Sequence, residues 1–319
     1  MPIHDLGYRS WQGQRDPGIA RLWVVAQTDA RLAWQSRWLR RMLLVAWLPA
    51  VYLGLAFFLF EQALTQPTAL RMAAEFLGQF PQSEVVGEAL QTEDRAQARH
   101  QVWSWLLLTF FRYPQGLLMA LVVGLVAPRL IARDVQSRAF LLYFSRPLAR
   151  LEYLLGKLLV VCGYVMMITT LPALALYGVG VFLSPPEFDV VASTWDLPLR
   201  ILAASAVLMI PTATLALAFS SLTTRTVYAG FAWFAYWVLG LVSYVMLVTS
   251  VDKLDSETWV LLSLYHTLGR VQHWIFGIPL SLGGQTSFSD VLAPAALLAG
   301  MAVVSLMVLF RRISSPMRI

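Results

Sequence analysis

Runs of apolar residues near 43–64, 115–130, 158–183, 201–222, 227–248 and 291–310 govern what this chain can fold into. A helix rises ~1.5 Å per residue, so about twenty such residues cross a ~30 Å hydrocarbon layer. A backbone in lipid has no water to bond, which leaves the helix as the form that satisfies these runs from within. The whole chain agrees, being 58% hydrophobic and only 13% charged, against ~25% charged residues in soluble domains. The expectation is an all-α integral membrane protein with about six transmembrane helices.

Between the runs, charge is arranged with a bias. Residues 1–18 are polar and turn-rich, with Gly7, Gly13, Pro17 and Gly18, and form an arm. From 19 to 41, Trp23, Trp34 and Trp38 fall among Arg21, Arg31, Arg37, Arg40 and Arg41 at helical spacing, which describes an interfacial helix lying in the headgroup layer. The first 29 residues hold no continuous apolar core behind a basic start, so no signal peptide is expected. The segment 65–114 is the longest hydrophilic stretch and its excess is acidic, with Glu75, Glu84, Glu88, Glu93 and Asp94. Trp103 to Phe111 is apolar but stopped by Arg112-Tyr113-Pro114; an arginine facing lipid is costly, so this piece is assigned to the outer interface and the second span starts at Gln115. Apolar residues between Trp259 and Ile275 describe a second interfacial helix. Arginine and lysine concentrate in the N-terminal arm and helix, the 131–157 loop, the turn at Arg225 and the tail 311–319. Six spans put these on one side, which the positive-inside rule makes the cytoplasm, with both termini there.

Several chemistries lack their residues. A net charge of +6 and a pI near 9.7 do not point to nucleic acid, because no basic stripe interleaves with aromatics in a soluble domain. The sole Gly-Lys pair, Gly156-Lys157, is followed by leucine and has no glycine five residues earlier, so the chain has no P-loop and is not expected to hydrolyse ATP. Cys162 lies in an apolar run and is expected to be a small buried hydrophobe. No Asp or Glu falls mid-span to build a proton relay. Ser220-Ser221 and Gly283-Gly284 are weak signals with no partner base in sequence. His266 and His273, seven apart, are the residues an alternative metal- or haem-binding enzyme would use, while a non-transporting scaffold is a third class.

The segment Leu130 to Lys157, LIARDVQSRAFLLYFSRPLARLEYLLGK, is the richest in information. Ala139, Leu142 and Tyr143, then Leu148, Leu151, Leu154 and Leu155, recur at helical spacing while arginines fill the other positions. Pro147 disfavours helix at Arg146 and can open the next turn, so short amphipathic helices broken at Ser145-Arg146-Pro147 are expected. Asp134, the Ser145-Arg146-Pro147 turn, Arg150 and Gly156-Lys157 resemble the cytoplasmic segment between spans two and three in permease subunits of ABC-2 type exporters. The resemblance extends to the layout, with an interfacial helix before the first span and a tight basic turn between spans four and five. It implies a cytoplasmic coupling helix docking on a separately encoded ATPase, which carries ATP and magnesium, while this chain carries no cofactor or metal. It also implies a second permease copy or homologue, a plasma or inner-membrane bilayer around the spans, and coupling residues Asp134, Arg138, Phe140, Tyr143, Phe144, Arg146, Pro147, Arg150 and Lys157.

Overall fold

A computed structural model describes residues 18–65, 67–91, 94–137, 139, 148–184, 190–250, 259–280 and 288–314. Among these the secondary structure is helical, with no strand. Helices α1 (Gly18–Trp34), α2 (Arg37–Val45) and α3 (Leu48–Thr65) are followed by the short α4 (Pro67–Leu77) and α5 (Glu84–Gln91). Helix α6 (Arg95–Phe110) runs through a π-helical turn, Phe111–Gln115, into α7 (Gly116–Gln136). Then come α8 (Arg150–Ile168), α9 (Thr170–Leu183), α10 (Val190–Thr194), α11 (Leu197–Leu222), α12 (Thr226–Ser250), α13 (Leu264–Phe276) and α14 (Phe288–Ser314).

Among the described residues six helical stretches are long and apolar enough to cross a membrane: Arg37–Leu64, Arg95–Gln136, Arg150–Leu183, Val190–Leu222, Thr226–Thr249 and Phe288–Ser314. The protein is therefore a multi-pass, all-α membrane protein. Spans five and six match the expected boundaries closely, whereas the second differs most. It is 42 residues long, about 63 Å at ~1.5 Å per residue, roughly twice the hydrocarbon thickness. The segment Trp103 to Phe111, expected at an outer interface, is instead the interior of this helix, with Trp103, Trp105, Phe110 and Phe111 fully buried by protein. Arg112 does not interrupt the helix, because its guanidinium donates to the Tyr265 carbonyl; at Pro114, which lacks an N–H, the chain widens into the π-helical turn.

Two apolar cores are stacked along the spans. One gathers Leu39, Leu43, Val122, Val126, Tyr153 and Val161 with Leu208 and Leu217. The other gathers Phe57, Phe60, Trp103, Phe110, Leu176 and Ile201. The changeover coincides with breaks in the helices: after Ala46 in span one, at Phe111–Gln115 in span two and at Thr169 in span three. Pro172 explains the third, since its missing N–H leaves the Ile168 carbonyl without a helical partner. Across this seam the Gln115 side-chain amide donates to the Ala46 carbonyl at 2.8 Å. Small residues permit close approach at the crossing of spans two and five: a Cβ on Gly124 would collide with the Phe234 and Trp233 rings.

Two other expectations change. The interfacial helix assigned to 19–41 is two helices, α1 and α2, parted at Gln35-Ser36. The second interfacial helix is wedged into the bundle as α13, with Leu264, Leu268, Val271, His273 and Phe276 buried. An apolar moment in sequence specifies that a face is covered, and here protein covers it.

Candidate functional site

The candidate site lies where α1, the end of span two and the start of span three meet. Span two does not stop at Leu130 but continues helically to Gln136, and span three begins at Arg150 rather than Leu158. The segment expected to form the 131–157 loop thus keeps only its middle outside these helices. Arg138, Phe140, Tyr143, Phe144, Arg146 and Pro147 lie outside the described residues. Asp134, Arg150 and Lys157 are placed.

Lys157 sits inside α8 with 1% of its side chain exposed. An unpaired ammonium there would be prohibitive, and two carboxylates answer it. Its Nζ is 2.8 Å from Asp29 Oδ2 on α1 and 2.6 Å from Asp134 Oδ2 at the end of span two. The Tyr153 hydroxyl donates to the same Asp134 oxygen at 2.7 Å, and the Tyr153 ring faces the ammonium at 5.0 Å. One cation therefore joins three helices. Two acids share it, and burial pushes the Asp29 carboxyl above its ordinary range; Lys157 opposes that shift and Asp134 reinforces it. Burial also takes Lys157 out of reach of a docked partner. Its place is that of a positioning residue for the segment that follows Asp134.

Neighbouring contacts reinforce the junction. Arg21 donates to Glu152 at 2.8 Å, and the other Glu152 oxygen accepts the Ala149 N–H at 2.9 Å, fixing the start of α8. Arg150 reaches the Ser314 hydroxyl at 3.3 Å, so span six ends beside the start of span three. The Tyr164 hydroxyl donates to the Ala30 carbonyl at 2.8 Å. Gly156 allows this proximity, because a Cβ there would press on Val25 and the Leu22 carbonyl.

Ser220 has a role that its sequence context did not reveal. Pro128 lacks an N–H and so leaves the Gly124 carbonyl of span two without its helical donor; in the turn that follows, the Ser220 hydroxyl of span four bonds the backbone of span two. It donates to the Pro128 carbonyl at 3.1 Å and accepts from the N–H groups of Ile131 and Ala132 at 3.3 and 3.0 Å. Asp29 and Tyr153 were missed from sequence, and Ser220 stood there only as a weak signal. A lysine at an apolar helical position does signal a buried counter-ion, but not which acid supplies it.

The alternative ligands are arranged otherwise. His266 stacks on Tyr244 with ring centroids 3.7 Å apart, and its Nδ1 pairs with the Ser263 hydroxyl at 2.9 Å. His273 Nδ1 meets the Ile278 carbonyl at 3.2 Å. Among the described residues no group of three or more His, Cys, Asp or Glu side chains could hold a metal ion. Arg112 lies over the Tyr265 ring at 3.9 Å and donates to the Tyr265 carbonyl. Gly269 makes room for that guanidinium, since a Cβ would overlap it.

The sequence matches no protein-family model, and no curated protein is similar to it at a significant level.

Proposed function

We propose that this chain is the membrane-spanning permease subunit of an ATP-driven transporter, an exporter of the ABC-2 type, working with a separately encoded ATPase. The observation that carries the reading is the Asp29–Lys157–Asp134 junction. A permease without its own nucleotide site must receive work mechanically, through an element rigidly continuous with the spans. The segment between Gln136 and Arg150 continues into helices at both ends, and the helices flanking it are locked to each other and to α1. A pull on that segment moves spans two and three together instead of bending a loose loop. The apolar and basic residues within it, Phe140, Tyr143, Phe144, Arg138, Arg146 and Arg150, suit an amphipathic helix seated in a partner's groove. In this reading the segment and both termini face the cytoplasm and a second permease subunit completes the pathway. ATP and magnesium bind the partner.

The test is purification of the tagged full-length chain from its native membranes, followed by identification of co-purifying subunits and measurement of ATP hydrolysis. A P-loop ATPase should accompany the wild-type chain. It should be lost, with the hydrolysis, on Phe140→Asp or Phe144→Asp, each of which would bury an unpaired charge in the groove. A stoichiometric metal or haem lost on replacing His266 and His273, with no ATPase present, would replace this reading by the enzyme class.

A further inference from the structure

A second site lies between α1 and span three, on the face of α1 away from the ion cluster. Trp23, Gln27, Arg31 and Trp34 recur along one stripe of the helix and line a cleft of about 500 Å³. Its opposite wall is span three, through Leu159, Val160, Gly163 and Met167. The volume falls within the ~300–1,000 Å³ typical of small-molecule sites.

Three features define the occupant. The cleft is lined almost wholly by apolar atoms; Gln27 and Arg31 of α1 border it, and the hydroxyl of Tyr164 on span three is taken up by the Ala30 carbonyl. No acid lines it, and among the described residues Arg31 has no hydrogen-bond or ion-pair partner. Leu155, Leu159 and Met166, between 41% and 43% exposed, continue the same wall of span three onto the exposed outer surface of the bundle. At Gly163 a Cβ would meet no heavy atom within 4 Å, so the absent side chain leaves a notch in the wall. Gly156, two turns earlier, is instead closed by Val25, so the helix backbones pack closely there, whereas beside Gly163 the long Tyr164 side chain reaches α1.

We infer that this cleft binds one bilayer phospholipid, an acyl chain lying along the Gly163 notch and its phosphate paired with Arg31. Trp23 and Trp34 flank the headgroup, where indole rings suit the boundary between apolar and wet layers. The occupied cleft would wedge α1 against span three, and a negatively charged headgroup would be favoured over a zwitterionic one. The site does not depend on the transport reading.

The test uses the full-length chain in phosphatidylcholine nanodiscs doped with a phosphatidylglycerol that carries a diazirine in its acyl chain, with adducts mapped by peptide mass spectrometry. Adducts should concentrate on the segments 23–34 and 159–167. Gly163→Leu should fill the notch and deplete them at least fivefold. Arg31→Glu, on an exposed position, should lower phosphatidylglycerol labelling by about fivefold relative to the equivalent phosphatidylcholine probe. Arg37→Glu, outside the cleft, should leave labelling unchanged. Adducts spread evenly over all spans would overturn the inference, as would an equal loss in the Arg37 variant or undiminished labelling in the Arg31 variant.

Discussion

Arg99 and Glu61 form a two-pronged ion pair inside the protein, Nε to Oε1 and Nη2 to Oε2 both at 2.9 Å, with side chains 2% and 1% exposed. The Trp103 indole N–H adds a third bond to Glu61 at 3.1 Å. This pair fixes the start of span two against the end of span one. Breaking a buried pair from one side costs ~3–5 kcal/mol, whereas replacing both partners by apolar groups is often neutral. Arg99→Met alone should therefore lower the thermal midpoint sharply, and Glu61→Met/Arg99→Met should recover most of it. Equal losses in the single and double variants would show that shape, not charge pairing, holds these helices.

The Lys157 junction makes a parallel prediction with a different signature. Lys157→Met strands two carboxylates and should destabilise by ~3–5 kcal/mol. Asp29→Asn should be the milder of the acid replacements, because Asp29 already resists ionisation and Asp134 keeps both Lys157 and Tyr153. Unfolding followed in detergent by intrinsic tryptophan fluorescence would rank Lys157→Met, Asp29→Asn and Asp134→Asn.

Ser220→Ala removes the hydroxyl that bonds three backbone groups around Pro128. The Ile131 and Ala132 N–H groups lie inside α7 and retain the Ala127 and Pro128 carbonyls as helical partners, so losing the hydroxyl should cost about 1 kcal/mol. Amide exchange should accelerate at Ile131 and Ala132 in this variant and stay unchanged near Ser221, whose hydroxyl bonds Ala218 within its own helix.

Acid should loosen α13. Burial holds His266 and His273 at about 4, with Arg112 acting in the same direction on both and the Ile278 carbonyl opposing it at His273. Unfolded histidine titrates near 6.5, so between these values the unfolded chain binds more protons. The stability these residues contribute is complete above pH ~6.5 and is lost as pH falls toward 4. The midpoint of thermal unfolding should drop from pH 6.5 to 5, and less steeply in a His266→Asn/His273→Asn variant. Identical slopes would place the acid sensitivity elsewhere.

The helical class and most span positions follow from sequence because a long apolar run in lipid has few other ways to satisfy its backbone. Asp134 and Lys157 were visible as charges beside apolar runs. Their partnership, however, joins residues on separate helices, and Asp29 enters from a third. Local pattern carries no information on which distant acid meets which base. The same gap explains span two: Arg112 looks like a stop in sequence, since an isolated arginine in lipid is costly, and Arg99 reads as part of a hydrophilic stretch. Glu61 and the Tyr265 carbonyl remove that cost only once the helices have packed. For α13 the amphipathic pattern correctly reported a covered face. Whether lipid or protein covers it is decided by packing, and only the tertiary structure, with Gly269 admitting Arg112 against the helix, determines that it is protein.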